Sequence, residues 1–130
     1  MPRKSQTLIP TEAQEAKALV EWWSYACRKS KIPENALIHI PNEGKRSIRA
    51  AQALKSQGMR PGVPDYFLAV PRLDCPGLWI ELKRRKNGVV SDEQRIMIAM
   101  LKAQGYEAVI AYGAEQAANA IRAYLIRPKR

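Results

Sequence analysis

Two rhythms of apolar residues alternate along this chain, one with the spacing of a helix face and one with that of a strand. The helical rhythm opens behind Thr11-Glu12-Ala13-Gln14. There the Thr11 hydroxyl and the Gln14 amide can satisfy orphan backbone donors reciprocally, as in a capping box. From that cap to about residue 28, Ala16, Leu19, Val20, Trp23 and Cys27 fall on one apolar stripe at helical spacing. Residues 30–35, with Pro33, break the pattern, and Leu37-Ile38-His39-Ile40 is a short apolar run of strand length. A basic, alanine-rich helix is predicted over 48–57, closed by Gly58 as its C-terminal cap. Arg60-Pro61-Gly62-Val63-Pro64 must be a loop, because two prolines and a glycine exclude regular pairing.

β-forming residues dominate 65–70, and a turn over 71–77 leads to 78–83, the antiparallel partner. Ser91-Asp92-Glu93-Gln94 repeats the capping box and opens a helix to about 104, with Met97, Ile98 and Leu101 on its inner face. A strand over 106–111 and an amphipathic helix over 114–125 complete the order α-β-α-β-β-α-β-α. This is an α/β pattern whose mixed sheet needs one central hairpin and at least one right-handed crossover. Residues 1–10 read as a flexible segment, 11–125 as one domain and 126–130 as a frayed basic tail.

At 130 residues, 46% of them apolar, the chain can build one core without staples and is too apolar for disorder. It carries 22 basic against 12 acidic residues, net +10, with a pI near 10.0. That excess favours a polyanionic partner, of which nucleic acid is the commonest. Cys27 and Cys75 lack CxxC spacing and His39 is the one histidine, so a tetrahedral zinc site is short of ligands. Two reduced thiols in an intracellular protein are the simplest reading. No apolar signal region opens the chain, and no stretch reaches the ~18 apolar residues of a membrane span. A cytoplasmic or nucleoid site of action is expected, with no secretion signal and no membrane partner.

The chemistry gathers around Trp79-Ile80-Glu81-Leu82-Lys83. Alternate residues of a strand share a face, so a carboxylate and an ammonium project side by side. Leu78, Ile80 and Leu82 give the strand a buried opposite face. Asp65, in Gly62-Val63-Pro64-Asp65 at the start of the neighbouring strand, can join Glu81 around one divalent cation. Mg²⁺ or Mn²⁺ takes hard oxygen ligands, and the Leu82 carbonyl can add a third. Lys83 can orient or acidify an attacking water, or stabilise the charge of a phosphorane. Standing alone, a Glu-Leu-Lys triplet is equally an exposed ion pair on an edge strand.

The run His39-Ile40-Pro41-Asn42-Glu43-Gly44, then Gly62 to Asp65, Glu81 to Lys83 and Ser91 to Gln94, resembles the VRR-NUC domain in its stand-alone bacterial or phage form. That family belongs to the PD-(D/E)XK, or restriction-endonuclease-like, nucleases, and the resemblance covers 11–125. It implies an α-β-β-β-α-β core, with an extra helix between the first and second strands and a C-terminal helix. It implies that Asp65 and Glu81 bind metal and that Lys83 assists the water. An acidic residue of the first helix would complete the site, with Glu15 the best match, Glu12 the runner-up and Glu21 third. Surface glutamates in a first turn also suit the helix macrodipole. Gln94 matches a position that supports the lysine or contacts the phosphate, and its capping-box role explains it equally well.

Asn42 and Gly44 would shape a loop near the substrate. Lys45, Arg46, Arg49, Arg84, Arg85 and Lys86 are candidate phosphate contacts, each equally a solvated charge. Trp22 and Trp23 are core or interface residues before they are base-stacking platforms. The resemblance points to a metal-dependent DNA endonuclease acting on branched DNA such as four-way junctions, as a homodimer for which the Trp22 side of the first helix is a candidate interface. A non-catalytic nucleic-acid-binding module on the same fold is the alternative.

Overall fold

A computed structural model of the chain describes residues 8–41 and 47–130. Asn42, Gly44, Lys45 and Arg46, singled out above, lie outside the described residues. Four helices and four strands follow the predicted order: α1 (Glu12–Ser30), β1 (Leu37–His39), α2 (Ile48–Ser56), β2 (Tyr66–Leu68), β3 (Leu78–Lys83), α3 (Asp92–Ala103), β4 (Glu107–Tyr112) and α4 (Ala114–Leu125). A single 3₁₀ turn at Glu34–Ala36 leads into β1. Among the described residues no helix is long and apolar enough to cross a membrane.

Both capping boxes form. At the start of α1 the Thr11 hydroxyl accepts from the Gln14 N–H while the Gln14 amide accepts from the Thr11 N–H. Ser91 and Gln94 do the same at the start of α3. The stripe of α1 is rotated from the expected one. Leu19, Trp23 and Cys27 are buried as expected, but Val20 is 46% exposed and the buried position a turn before Leu19 belongs to Glu15. None of α2 is buried, so this helix stands off the domain.

The strands form one mixed sheet in the order β1-β2-β3-β4. β1 with β2 and β2 with β3 are antiparallel, and β3 with β4 is parallel, reached through the α3 crossover. One face carries Leu68, Leu78, Ile80, Leu82 and Ala111 against α1 and α4, and this is the main core. On the other face Trp79, Tyr106 and Ile110 meet Ile98 and Leu101 of α3. The sheet is thus apolar on both faces near its middle, and β3 carries Glu81 and Lys83 where it outruns β2. The tail is pinned, contrary to expectation. The Leu73 N–H donates to the Pro128 carbonyl at 2.8 Å, Arg130 donates to the Arg72 carbonyl at 3.1 Å, and Arg127 pairs with Glu107.

Candidate active site

The β2–β3 hairpin builds the site by register. Tyr66 lies across from Ile80 and Phe67 from Trp79, so one further step places Asp65 across from Glu81. Residues directly opposite in an antiparallel pair present their side chains to the same face. The two carboxylates therefore meet where β2 has just begun and β3 continues. Asp65 Oδ2 accepts from the Leu82 N–H at 2.8 Å, closing the hairpin with a side chain where the ladder stops. The Lys83 carbonyl accepts from Gly113 N–H at 2.8 Å on the β4 side. Successive carbonyls of a strand point to opposite edges. The Leu82 carbonyl accordingly points to the Asp65 edge.

Glu81 is 2% exposed. Its Oε1 accepts from Gln94 Nε2 at 2.9 Å and lies 3.4 Å from Lys83 Nζ. Its Oε2 is buried without a hydrogen-bond partner among the described residues. Burial first, and then the Asp65 carboxylate, push the Glu81 carboxyl up to about 8, against the opposing pull of Lys83. The Gln94 oxygen closes the α3 cap as predicted, while its nitrogen donates to Glu81, the carboxylate that also pairs with Lys83. A cleft of about 440 Å³ opens over this group, lined by Asp65, Glu81, Lys83 and Gln94 together with Glu12, Ser91 and Glu93. Its remaining wall is Pro61 and Gly62. Gly62 has φ +83°, and a Cβ there would lie 2.4 Å from the Glu93 carbonyl oxygen, so only glycine lets this loop close on the start of α3.

The first-helix carboxylate in the cleft is Glu12, not Glu15. Burial and then the charge of Asp65 raise the Glu12 carboxyl, and Lys83 lowers it, which registers its place in the cluster. Glu15 is 1% exposed and engaged elsewhere. Arg85 grips it with two hydrogen bonds of 2.8 and 3.2 Å, and the Ala114 N–H adds another, so its carboxyl is held below the ordinary carboxylate range. Gly113, with φ +95°, leaves room for it, since a Cβ there would come within 2.9 Å of Glu15 Oε2. Glu21 is on the exposed side of α1 and does not line the cleft.

Arg84 and Arg85, expected as candidate phosphate contacts, also act as fasteners within the fold. Arg84 donates to the carbonyls of Pro10 at 3.2 Å and Ile9 at 3.5 Å, while Arg85 holds Glu15. Together they fix the start of α1, and with it Glu12, to the exit of β3. Arg49 on α2 and Lys86 after β3 are exposed. Ser91 and Glu93, from the second capping box, and Pro61 and Gly62, from the 60–64 loop, also line the cleft.

Among the described residues no three His, Cys, Asp or Glu side chains converge closely enough to form a metal cage by themselves. The donor set nevertheless fits a hard divalent cation: two facing carboxylates, one with an unpartnered buried oxygen, and a backbone carbonyl at the same edge. Among the described residues the cleft lining holds no soft-metal ligand.

Residues 3–115 match the family model described as VRR-NUC domain. A solved structure described as a VRR_NUC domain protein is similar to this chain at 26% identity and a TM-score of 0.76, covering 92% of each chain. No curated protein matches the chain.

Proposed function

Because the chain belongs to the VRR-NUC domain family, which has a nuclease-like fold, we propose that it is a divalent-metal-dependent DNA endonuclease selective for branched DNA such as four-way junctions. One observation carries the reading. Asp65, Glu81 and Lys83 converge in one cleft where, among the described residues, a buried carboxylate oxygen receives no hydrogen-bond donor. A protein does not leave such an atom orphaned without cost, and a bound cation offsets that cost.

Asp65, Glu81 and the Leu82 carbonyl would hold Mg²⁺ or Mn²⁺, with Glu12 beside them. The ion would neutralise phosphate charge and acidify a water. Gln94 and Lys83 fix the Glu81 carboxylate from one side, so its free oxygen keeps one direction. Lys83 Nζ can orient the attacking oxygen or donate to a phosphate oxygen as negative charge builds. The Asp65 bond to the Leu82 N–H locks the hairpin against splaying as the polyanion enters. Arg49 and Lys86 are exposed cations available to flanking phosphates. Action as a homodimer would let two sites related by a two-fold axis address two symmetric strands.

Cleavage of supercoiled plasmid and of a panel of flap, splayed, nicked, linear and four-way substrates tests this reading. Wild type should cut with Mg²⁺ and not with EDTA, and Lys83→Ala should bind the four-way junction without cutting it. Binding without cleavage by wild type on every substrate would establish the non-catalytic module instead. Sedimentation of the free protein tests the dimer.

A further inference from the structure

A second concavity lies well away from the cleft, between the C-terminal halves of α1 and α4. Trp22 on its wall is ten residues beyond Glu12, which is about 15 Å along the helix axis. The groove encloses about 720 Å³, within the range that bound ligands and anchor side chains occupy. Its floor is apolar, formed by Ala26 and Leu125 beside the two tryptophans. Its rim is cationic: Lys29, Arg122 and Lys129 are exposed there, and among the described residues no acidic side chain lines the groove. Arg72, also at the groove, is buried with its guanidinium on the carbonyls of Leu125 and Pro71, adding positive charge that it cannot itself present.

We propose that this groove docks an acidic peptide segment of a partner protein, its bulky apolar side chains on the floor and its carboxylates on Lys29, Arg122 and Lys129. Charge complementarity selects this occupant. A second copy of this chain is disfavoured, because a two-fold contact would set these cations against their own copies in a chain of net charge +10. Single-stranded nucleic acid shares the negative charge but would need open aromatic faces on which bases stack. Among the aromatic residues lining the groove only Tyr25, 72% exposed, offers one, and a run of successive bases needs more than one such ring. Trp23 is 2% exposed with its indole N–H on the Glu34 carbonyl, and the Trp22 ring is covered by the Arg122 guanidinium at 4.9 Å. An aliphatic floor suits Leu or Phe side chains better than bases. Ile126, 85% exposed at the groove edge, is the apolar contact such a peptide would cover.

The test is fluorescence anisotropy with a labelled synthetic peptide in which Asp and Glu alternate with Leu and Phe. A counterpart with Ser at every Leu and Phe position and an oligothymidylate serve as comparison probes. Wild type should bind the first peptide saturably. The Arg122→Glu/Lys129→Glu double variant should bind it at least roughly tenfold more weakly. Ile126→Ser and the Ser counterpart should each weaken binding, while junction binding at the cleft stays unchanged in both variants. All three substituted positions are exposed, and circular dichroism checks the fold of each variant. The proposal is overturned by an absence of saturable peptide binding, or by peptide binding indifferent to the double variant. It is equally overturned if the oligothymidylate displaces the peptide and loses affinity in the same variant, or if the double variant converts a wild-type dimer to monomer.

Discussion

Glu81→Gln should stabilise the metal-free protein at alkaline pH while abolishing cleavage. The folded protein holds the Glu81 proton up to about pH 8, whereas the unfolded chain releases it near 4.5. Between those values unfolding sheds a proton, so stability falls as pH rises. Below 4.5 both states are protonated and the penalty vanishes; above about 8 it is complete. At about 1.4 kcal/mol for each pH unit across that window, the full penalty is on the order of a few kcal/mol. Gln has the same size, its oxygen can still accept from Gln94, and its amide nitrogen replaces the orphaned oxygen with a donor facing Asp65.

The assay is urea or thermal unfolding in EDTA across a pH series. The stability advantage of Glu81→Gln over wild type should be small at about pH 5 and widen to several kcal/mol by about pH 9. For a chain of this size each kcal/mol is worth roughly 3–6 °C in Tm. Mg²⁺ should raise the wild-type Tm and leave that of the variant where it was. A difference that does not change with pH, or a variant less stable than wild type at alkaline pH, would refute the reasoning.

Asp65→Asn should fold nearly as well as wild type, keeping an oxygen for the Leu82 N–H, yet fail to cut. Asp65→Ala should also lose about 1–3 kcal/mol in urea unfolding because that donor is orphaned. Glu15→Gln should cost of order 1–2 kcal/mol at neutral pH, limited by water around the half-exposed Arg85. Since Glu15 titrates below its ordinary 4.5, its contribution is present above that pH and fades below it, so variant and wild-type melting curves should converge in acid. Gly62→Ala should destabilise by about 2 kcal/mol or more and depress any cleavage with it, because its Cβ must displace the Glu93 backbone. An unchanged melt would show that the loop gives way freely.

Most of the fold was legible because its signals are local. Capping boxes at Thr11 and Ser91, the breaks at Pro33 and Pro61, and the strand alternation of 78–83 each act through neighbours a few residues away. The convergence of Asp65, Glu81 and Lys83 was legible too, since a hairpin register follows from its strands and turn. The tail was not, because its anchors, Arg72 and Glu107, are distant in sequence. Nor was the fate of Arg84 and Arg85, because a surface cation and a fastener have the same composition and differ only in what happens to lie opposite.

Glu12 and Glu15 are the instructive pair. Both are acidic, both sit in the first turn of α1, and macrodipole or motif reasoning cannot separate them. Helical phase could have. Glu15, Leu19, Trp23 and Cys27 follow at intervals of four, so Glu15 heads the buried stripe and must find an interior partner. A buried carboxylate with a basic partner close by is neutralised there and has little left for a cation in the cleft. Glu12, three residues earlier, lies off that stripe at the mouth of the cleft, where it senses Asp65 and Lys83. The fastening of Glu15 by Arg85 is then what sets the position of Glu12.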